Sequence, residues 1–302
     1  MWQNYQISEQ FPSQKEEAEM DLMLFTKKEY WLFHLRKEEI LPVLVKDDNG
    51  NILSYWCFYK SSNEIRTPFS APYFKPFISR TSSFLIQFEV VKGYLKSNYN
   101  QKVYFAFLKS LMDEYEFFKS NIQSVDIGTV LSVDKADFSR AIVNDRKSRK
   151  LNSLLKDRSF KTELVRKNDW KETYELNLSW RIEKGHQNFI SSELMRNLKL
   201  KFPQNYQAFH LINSDKVVGT VFFVKIHSEF LYVYSLITNP KYDAKEPSLL
   251  LWNAVYNWAF ENKILFIDMG TSMLSNKSIN KELLSYKLKI GGKCYRKYNV
   301  EC

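Results

Sequence analysis

The chain has 302 residues, of which 44% are hydrophobic, 26% charged and 16% aromatic, proportions that are typical of a globular protein and exclude a largely disordered chain. No run of about 18 apolar residues and no secretory signal is present, and three scattered cysteines are too few for a disulfide framework, so we expect a cytoplasmic protein. The net charge of +10 either favours phosphate-bearing partners or reflects a lysine-rich composition.

The first half alternates helix-like and strand-like segments. Ile40–Val45 has the pattern of a strand, and Pro42 within it favours a sheet edge or a bulge. The other expected elements are a helix over Asp21–Leu35, a strand pair over Asn51–Ser70, a proline-rich loop over Thr67–Phe77, a helix over Ser82–Leu95, a strand over Lys102–Phe107 and a helix over Leu111–Phe118.

The strongest charge cluster lies midway along the chain. Asn144–Lys150 reads NDRKSRK, and leucines follow it at helical spacing. The pattern predicts a basic helix or linker between two halves. Its arginines, Arg146 and Arg149, either face solvent or contact phosphate groups near an active site.

The second half has a clearer order of helix, helix, three strands, helix, strand, helix and strand. Asn168-Asp169 provides an N-cap and Gly185 a C-terminal turn for the first helix. A helix between two strands implies that those strands pair in parallel. The remaining elements are a helix from Ser191, strands over Gln207–Ile212, Val217–Ile226 and Phe230–Thr238, an amphipathic helix over Leu249–Asn262, a strand over Lys263–Met269, a helix over Glu282–Leu288 and a strand over Lys293–Val300.

Part of the sequence repeats. The segment 51–70 aligns without a gap on 216–235, at an offset of 165 residues, and both copies follow a polar turn. This offset is too long for a solenoid repeat and suggests two similar domains in tandem. The identical pairs are Phe58 with Phe223, Lys60 with Lys225, Glu64 with Glu229 and Ser70 with Ser235.

A series of short motifs occupies the last 130 residues or so. They are RIEKG at Arg181–Gly185, SSELMRNL at Ser191–Leu198, KFP at Lys201–Pro203, KVVGTVFFV from Lys216, NPKYDAKEPSLLLWNAVYNWAFEN from Asn239, FIDMGTS at Phe266–Ser272 and SYKLKIGGK at Ser285–Lys293. In this order they resemble the FemAB-like group of tandem GNAT acyltransferases, which is related to the Fem and MurM peptidoglycan aminoacyltransferases.

The resemblance implies an α/β (α+β) fold of two tandem GNAT-like domains, each a mixed, mostly antiparallel twisted sheet flanked by helices. Residues 1–150 would form a degenerate domain ending in the basic helix, and residues 151–302 the donor-binding and catalytic domain. The implied activity is an N-acyltransferase that moves an acetyl or aminoacyl group from acyl-CoA or aminoacyl-tRNA to an amine in a cleft between the domains. No tightly bound cofactor is expected, and acyl-CoA would be a co-substrate.

The acceptor implied by the resemblance is an amine-bearing small molecule or a cell-envelope precursor, and peripheral membrane contact is left open. Two departures bear on the donor and the site. The loop DAKEP has no glycine, although acetyl-CoA-dependent relatives carry a glycine-rich loop there, and Tyr286 stands where the family has Phe before Lys287.

The candidate catalytic residues are Tyr232, Tyr234, Asp268 and Lys287. Either tyrosine could protonate the leaving group or merely pack on a half-buried strand face. Asp268 ends an apolar strand and could orient the amine or cap the following loop. Lys287 could contact a phosphate or carboxylate, pair with Asp268, or lie exposed on its helix.

The residues expected to bind donor or substrate lie around these four. Backbone groups of the strand over Leu231–Thr238 would face the donor carbonyl, and a helix N-terminus after the loop would face an anion. Arg181 and Lys184 either bind an anion or form a solvated helix end. The full set is Ser235, Leu236, Lys245, Ser248, Arg181, Lys184, Arg146 and Arg149.

Two rival hypotheses remain open. One is a non-catalytic module with a degenerate transferase fold that binds RNA or an anionic cell-envelope precursor. The other is a single-stranded nucleic-acid binder that uses aromatic stacking. Metal, hydrolase, kinase and dinucleotide chemistry are not expected, because the histidines lack ligand spacing and no G-x-S-x-G, P-loop or G-x-G-x-x-G motif occurs.

Overall fold

The computed structural model describes residues 5–35, 37–67, 76–108, 122–186, 190–274 and 276–302. They form two compact units. The first unit comprises residues 1–127 and 295–302, and the second comprises residues 128–294. The sequence instead predicted a division after Lys150, and the assignment of a function to each half stays a prediction.

The first unit is built on a mostly antiparallel sheet. Its strands pair in the order β1-β2-β3-β4-β6-β13, with β5 beside β3. Of the strand pairs formed by described residues here, only β4 with β6 is parallel. The strands are β1 (Gln6–Ser8), β2 (Ile40–Lys46), β3 (Ile52–Lys60), β4 (Glu64–Arg66), β5 (Phe77–Ile78), β6 (Lys102–Leu108) and β13 (Lys293–Glu301), and the helices are α1 (Gln14–Glu19), α2 (Lys28–His34) and α3 (Phe84–Asn98).

The second unit repeats this plan with longer elements. Its strands pair in the order β7-β12-β11-β10-β9-β8, and β7 enters this unit at Gly128. Among the described residues of this unit, only β11 and β12 pair in parallel. The strands are β7 (Ile122–Ser132), β8 (Phe160–Leu164), β9 (Tyr206–Asn213), β10 (Lys216–Lys225), β11 (Phe230–Thr238) and β12 (Phe266–Thr271). The helices are α4 (Phe138–Ala141), α5 (Asp145–Lys156), α6 (Trp170–Glu183), α7 (Ser192–Lys201), α8 (Ser248–Glu261) and α9 (Lys281–Lys289).

The two units share a topology, which explains the repeat in the sequence. In each unit a three-stranded antiparallel meander, β2-β3-β4 or β9-β10-β11, is followed by a helix and by a strand parallel to the meander's last strand. The helix expected over Ser82–Leu95 and the strand expected over Lys102–Phe107 are present there as α3 and β6. Ser70 and most of the proline-rich loop lie outside the described residues.

Local sequence chemistry sets several of the element boundaries. Ser191 caps α7 by accepting a hydrogen bond from the Leu194 N–H at 3.2 Å. Gly185 ends α6 in the left-handed region, with φ of +76°. Pro42 lies where β2 pairs only with β3, since the pairing of β1 reaches no further than Leu44. These three expectations are confirmed.

Other expectations are wrong or incomplete. The helix predicted over Asp21–Leu35 is a 3₁₀ turn over Leu24–Thr26 and the separate helix α2, divided at Lys27, whose backbone is extended. Strands β7 and β8 were not anticipated, because their residues lack a strong alternating pattern. The helix expected over Leu111–Phe118 lies outside the described residues.

Each unit has its own hydrophobic core. In the first, Trp56, Phe58, Phe88 and Phe105 pack their rings together and Cys57 is fully buried. In the second, α8 packs against β8 to β11 and against the helices α4 and α5, and its exposed side carries Asn257, Phe260 and Glu261. A Cβ at Gly219 of β10 would lie 3.2 Å from the Leu251 Cδ1 atom, so this glycine allows the helix to approach.

Candidate active site

The central feature of the second unit is a parallel strand pair that ends early. β11 and β12 pair over three positions, and the last pair is Tyr232 with Asp268. β11 continues to Thr238 beside β10, whereas β12 turns away at Gly270, where φ is +76°. The pairing of β11 with β12 therefore covers only the first part of β11, and backbone groups further along the strand can face a bound acyl group.

In the first unit, β4 and β6 also pair over three positions. There the Thr67 N–H donates to the Tyr104 carbonyl at 3.1 Å, and the Ala106 N–H donates to the Thr67 hydroxyl at 2.7 Å. Thr67 is fully buried. The hydrogen bond to the Thr67 hydroxyl adds a side-chain contact after the last residue pair of β4 and β6, Arg66 with Tyr104.

A β-bulge at Tyr234 changes which side chains face the helices. Phe222 pairs with Ser235 and Phe223 pairs with Val233, so Tyr234 is the extra residue. Tyr234 and Ser235, although adjacent, consequently both contact α6. Leu236 points the other way and packs against the core of the unit.

α6 and the bulge are joined by a buried polar network. The hydroxyls of Tyr174 and Tyr234 lie 2.9 Å apart, and Ser235 donates to the Asn177 Oδ1 atom at 2.9 Å. Arg181 is half-buried and its Nη1 donates to the Ser235 hydroxyl at 3.4 Å. Residues 174, 177 and 181 lie on one face of α6, because they are spaced by three and four. The predicted residues Tyr234, Ser235 and Arg181 are thus brought together.

Burial sets the ionisation of both tyrosines in this network. It raises the pKa of Tyr174 and the pKa of Tyr234 above the usual value of 10.0. The positive charge of Arg181 opposes the rise in each case. Both hydroxyls therefore stay protonated near neutral pH and can donate hydrogen bonds.

Asp268 and Lys287 both hold the turn at the end of β12. The Asp268 carboxylate is fully buried and accepts a hydrogen bond from the Gly270 N–H at 2.7 Å. Lys287 is only 4% exposed, and its Nζ donates to the carbonyls of Gly270 at 2.8 Å and Thr271 at 3.0 Å. The expectation of an exposed helix lysine is wrong, whereas the capping role considered for Asp268 is present.

The Lys287 ammonium is destabilised by its surroundings. Burial lowers its pKa from 10.5 to about 8, although the negative charge of Asp268 opposes the shift. Tyr232 lies beside the same turn, since a Cβ on Gly270 would be 3.5 Å from Cε2 and 3.9 Å from the hydroxyl of Tyr232. Three of the four catalytic candidates thus meet at Gly270.

The glycines after α9 explain why the motif KLKIGG ends as it does. Gly291 has a φ of +103°, and a Cβ there would lie 2.4 Å from the Ala141 carbonyl oxygen. A Cβ on Gly292 would lie 2.8 Å from the Lys287 carbonyl oxygen. The two glycines let the chain turn tightly against α4 and keep Lys287 beside β12.

The loop between β11 and α8 carries two carboxylates that are bound by residues outside the loop. Lys184 binds Asp243 with an Nζ–Oδ2 distance of 2.7 Å, and the Thr238 hydroxyl donates to the same carboxylate at 2.7 Å. At the start of α8, Glu246 binds Lys147 at 2.5 Å. Two carboxylates therefore lie where acetyl-CoA-dependent relatives, by the resemblance, have glycines that receive a pyrophosphate.

The other predicted binding residues lie apart from this network. Ser248 begins α8, and its hydroxyl is 3.0 Å from that of Tyr286. Lys245 is exposed at the end of the 3₁₀ turn over Pro240–Lys245. Arg146 and Arg149 are exposed on α5, and it is Lys147 that turns inward. In the described part of the chain, no contact links the two arginines to Gly270 or Ser235.

Sequence reasoning missed Tyr174 and Asn177. Both are fully buried in α6, and Asn177 also donates to the Thr220 hydroxyl at 2.9 Å. The available signal was a tyrosine, an asparagine and an arginine on one face of an otherwise mixed helix. Within the described ranges, no three His, Cys, Asp or Glu residues lie close enough to hold a metal ion, and no helix is long and apolar enough to cross a membrane.

The fold is shared with solved structures, although no protein-family model and no curated protein matches the sequence. FemX is similar with a TM-score of 0.67 at 10% identity, over 97% of this chain and 96% of that chain. L-PGS from Bacillus licheniformis has a TM-score of 0.55 at 13% identity, covering 85% and 83%.

A tandem GNAT protein from the clavulanic acid biosynthesis pathway is also similar, with a TM-score of 0.52 at 8% identity, over 87% of this chain and 82% of that chain. Together with FemX, this likeness confirms the α/β fold class predicted from the sequence and the resemblance to FemAB-like tandem GNAT proteins. At these identities the likeness concerns the fold.

Proposed function

We propose that the protein is an N-acyltransferase whose reaction takes place where β11 and β12 stop pairing. The observation that carries the proposal is the end of the parallel ladder at Tyr232 and Asp268, within a fold shared with FemX and with a tandem GNAT protein. An acyl carbonyl seated beside the later part of β11 would meet backbone N–H groups as negative charge develops on its oxygen.

The reaction forms one bond and breaks one bond. The neutral amine nitrogen of the acceptor attacks the donor's carbonyl carbon, and the resulting oxyanion is stabilised by β11. The intermediate then collapses, the bond to the leaving sulfur or oxygen breaks, and an amide is released. The amine loses a proton and the leaving group gains one, so no oxidant or reductant is needed.

Tyr232 is the residue we assign to proton donation. Its hydroxyl lies beside Gly270 at the point where the strands part, whereas the Tyr234 hydroxyl is engaged with Tyr174. Asp268 and Lys287 are positioning residues, because their polar atoms hold the backbone of Gly270 and Thr271. Arg181 and Ser235 would bind the acceptor or donor at the bulge.

The loop before α8 favours an aminoacyl ester, as in aminoacyl-tRNA, over acyl-CoA. A pyrophosphate placed there would meet the carboxylates of Asp243 and Glu246, and it would compete with Lys184 and Lys147 for them. Negative charge at this helix start disfavours a second anion by Coulomb repulsion.

The test compares both donor classes with one acceptor mixture. Mixed aminoacylated tRNA or acetyl-CoA is incubated with the protein and a set of primary amines, and amide products are measured by mass spectrometry. We expect transfer from tRNA, and a Tyr232→Phe variant that is slower by about 100-fold or more. Tyr59→Phe, a half-buried tyrosine of the first unit, should keep full activity. Absence of turnover with both donors would refute the proposal.

A second candidate is a non-catalytic binding module for RNA or an anionic cell-envelope precursor. The observation that favours it is that Asp268, Lys287 and Tyr234 all make internal hydrogen bonds. It predicts saturable binding of tRNA without turnover. It also predicts that Tyr232→Phe leaves the affinity unchanged.

A further inference from the structure

A polar cavity lies in the second unit, between the start of α6 and the helix α7. It has a volume of about 280 Å³. Its lining includes four basic residues, Lys167, Lys171, Arg196 and Lys199, together with Asn168, Trp170 and Leu200. None of its described lining residues is acidic, so the cavity carries a concentrated positive charge.

The floor of this cavity is rigid. Trp170 is 1% exposed, and its Nε1 donates to the Met195 carbonyl at 3.1 Å. The Lys199 Nζ lies 5.1 Å from the centre of the Trp170 ring and donates to the Tyr206 carbonyl at 2.7 Å and the Pro203 carbonyl at 3.0 Å. The buried charge of Lys199 is therefore fixed in place.

The remaining cations are at the cavity's rim and are weakly neutralised. Lys171 lies 3.9 Å from Glu175, and Arg196 lies 3.4 Å from Glu193, and all four side chains are about half exposed. Exposed pairs of this kind contribute little and yield readily to another anion. The charge of Lys167 also lowers the pKa of Lys199, although burial is the larger cause.

We propose that this cavity, which we call the Lys171 cavity, is a binding site for phosphate groups. Lys167, Lys171 and Arg196 are exposed cations beside the fixed charge of Lys199, and together they match a compact polyanion. A phosphate can accept several charge-assisted hydrogen bonds from the three exposed side chains at once. The first turn of α6 also lines the cavity, and no side chain caps it. The phosphate groups belong either to the backbone of a polynucleotide or to a small diphosphate.

The Lys171 cavity is separate from the place where β11 and β12 part. Its described lining residues include none of Tyr232, Asp268, Gly270 and Lys287. The inference does not depend on acyl transfer. A polynucleotide could nevertheless contact both places.

Titration calorimetry with inorganic diphosphate and with a short RNA duplex tests the proposal. The variant is Lys167→Ala/Lys171→Ala. The control is Lys161→Ala/Lys216→Ala, which removes the same charge from two exposed lysines of the same unit. Lys199 is left intact because its hydrogen bonds hold the fold.

We expect the cavity variant to bind at least one probe about tenfold more weakly and the control to change less than about twofold. If the source is a polynucleotide, RNA binds, and the variant's slope of log K against log salt falls by roughly 0.9 for each lost contact. If the source is a small diphosphate, only that probe binds. The proposal is overturned if neither probe binds at millimolar concentration, or if the control pair weakens binding as much as the cavity pair.

Discussion

The charge on Lys287 should make the stability of the protein depend on pH in a defined way. Burial lowers the pKa of this lysine from 10.5 to about 8, whereas in the unfolded chain it stays near 10.4. Between these values the unfolded state binds more protons than the folded state. The free energy of unfolding therefore rises with pH from about pH 8 and levels off near pH 10.5.

The size of this change in the free energy of unfolding follows from the pKa shift of Lys287. One pKa unit corresponds to about 1.4 kcal/mol, so a shift of about 2.5 units gives a total of about 3 kcal/mol. Between about pH 7 and pH 9 the free energy of unfolding rises by about 1.3 kcal/mol of this total. Below about pH 8 the ammonium stays charged in both states, and this contribution is flat.

Urea unfolding of three proteins at about pH 7, 8 and 9 measures this contribution. In Lys287→Met the titrating group is gone, so the wild type should gain about 1.3 kcal/mol relative to this variant across the range. Lys289→Met, an exposed lysine on the same helix, should follow the wild type. Equal pH slopes in all three proteins would refute the assignment of a depressed pKa to Lys287.

Three further outcomes are expected in urea unfolding. Asn177→Ala removes the acceptor of the buried Ser235 hydroxyl and the donor to the buried Thr220 hydroxyl, and it should cost about 2–4 kcal/mol. The exposed Asn262→Ala should cost under about 0.5 kcal/mol. Gly185 and Gly291 both have a positive φ, but only at Gly291 would a Cβ also clash with the backbone, so Gly291→Ala should destabilise the protein far more than Gly185→Ala. Equal costs would contradict the role assigned to the clash. Thr67→Val removes a buried acceptor and should cost about 1–3 kcal/mol, and a neutral result would show that this hydrogen bond is dispensable.

The order of elements in the second half was predictable from local signals. Ser191 and Gly185 mark helix ends, and the run ending at Asp268 marks a strand. A helix between two strands was enough to predict that β11 and β12 pair in parallel, as they do. These features depend on residues that are close in sequence, and the sequence pattern therefore predicts them.

The contacts of the candidate site were less predictable. The bulge at Tyr234 depends on how β10 and β11 align over their whole length, and a shift of one residue turns each side chain to the other face of the sheet. No local pattern specifies such a shift. The pairing of Tyr234 with Tyr174 could therefore not be expected from the sequence.

The end of α9 shows what the sequence determined and what the tertiary structure decided. The sequence by itself determined that Gly291 and Gly292 form a turn and that Lys287 precedes them on a helix, because glycine and helical spacing act within a few residues. Only the tertiary structure decided that the lysine is buried and holds the carbonyls of Gly270 and Thr271. The physical reason is that burial and pKa depend on what α9 packs against, and that is determined by segments distant in the chain.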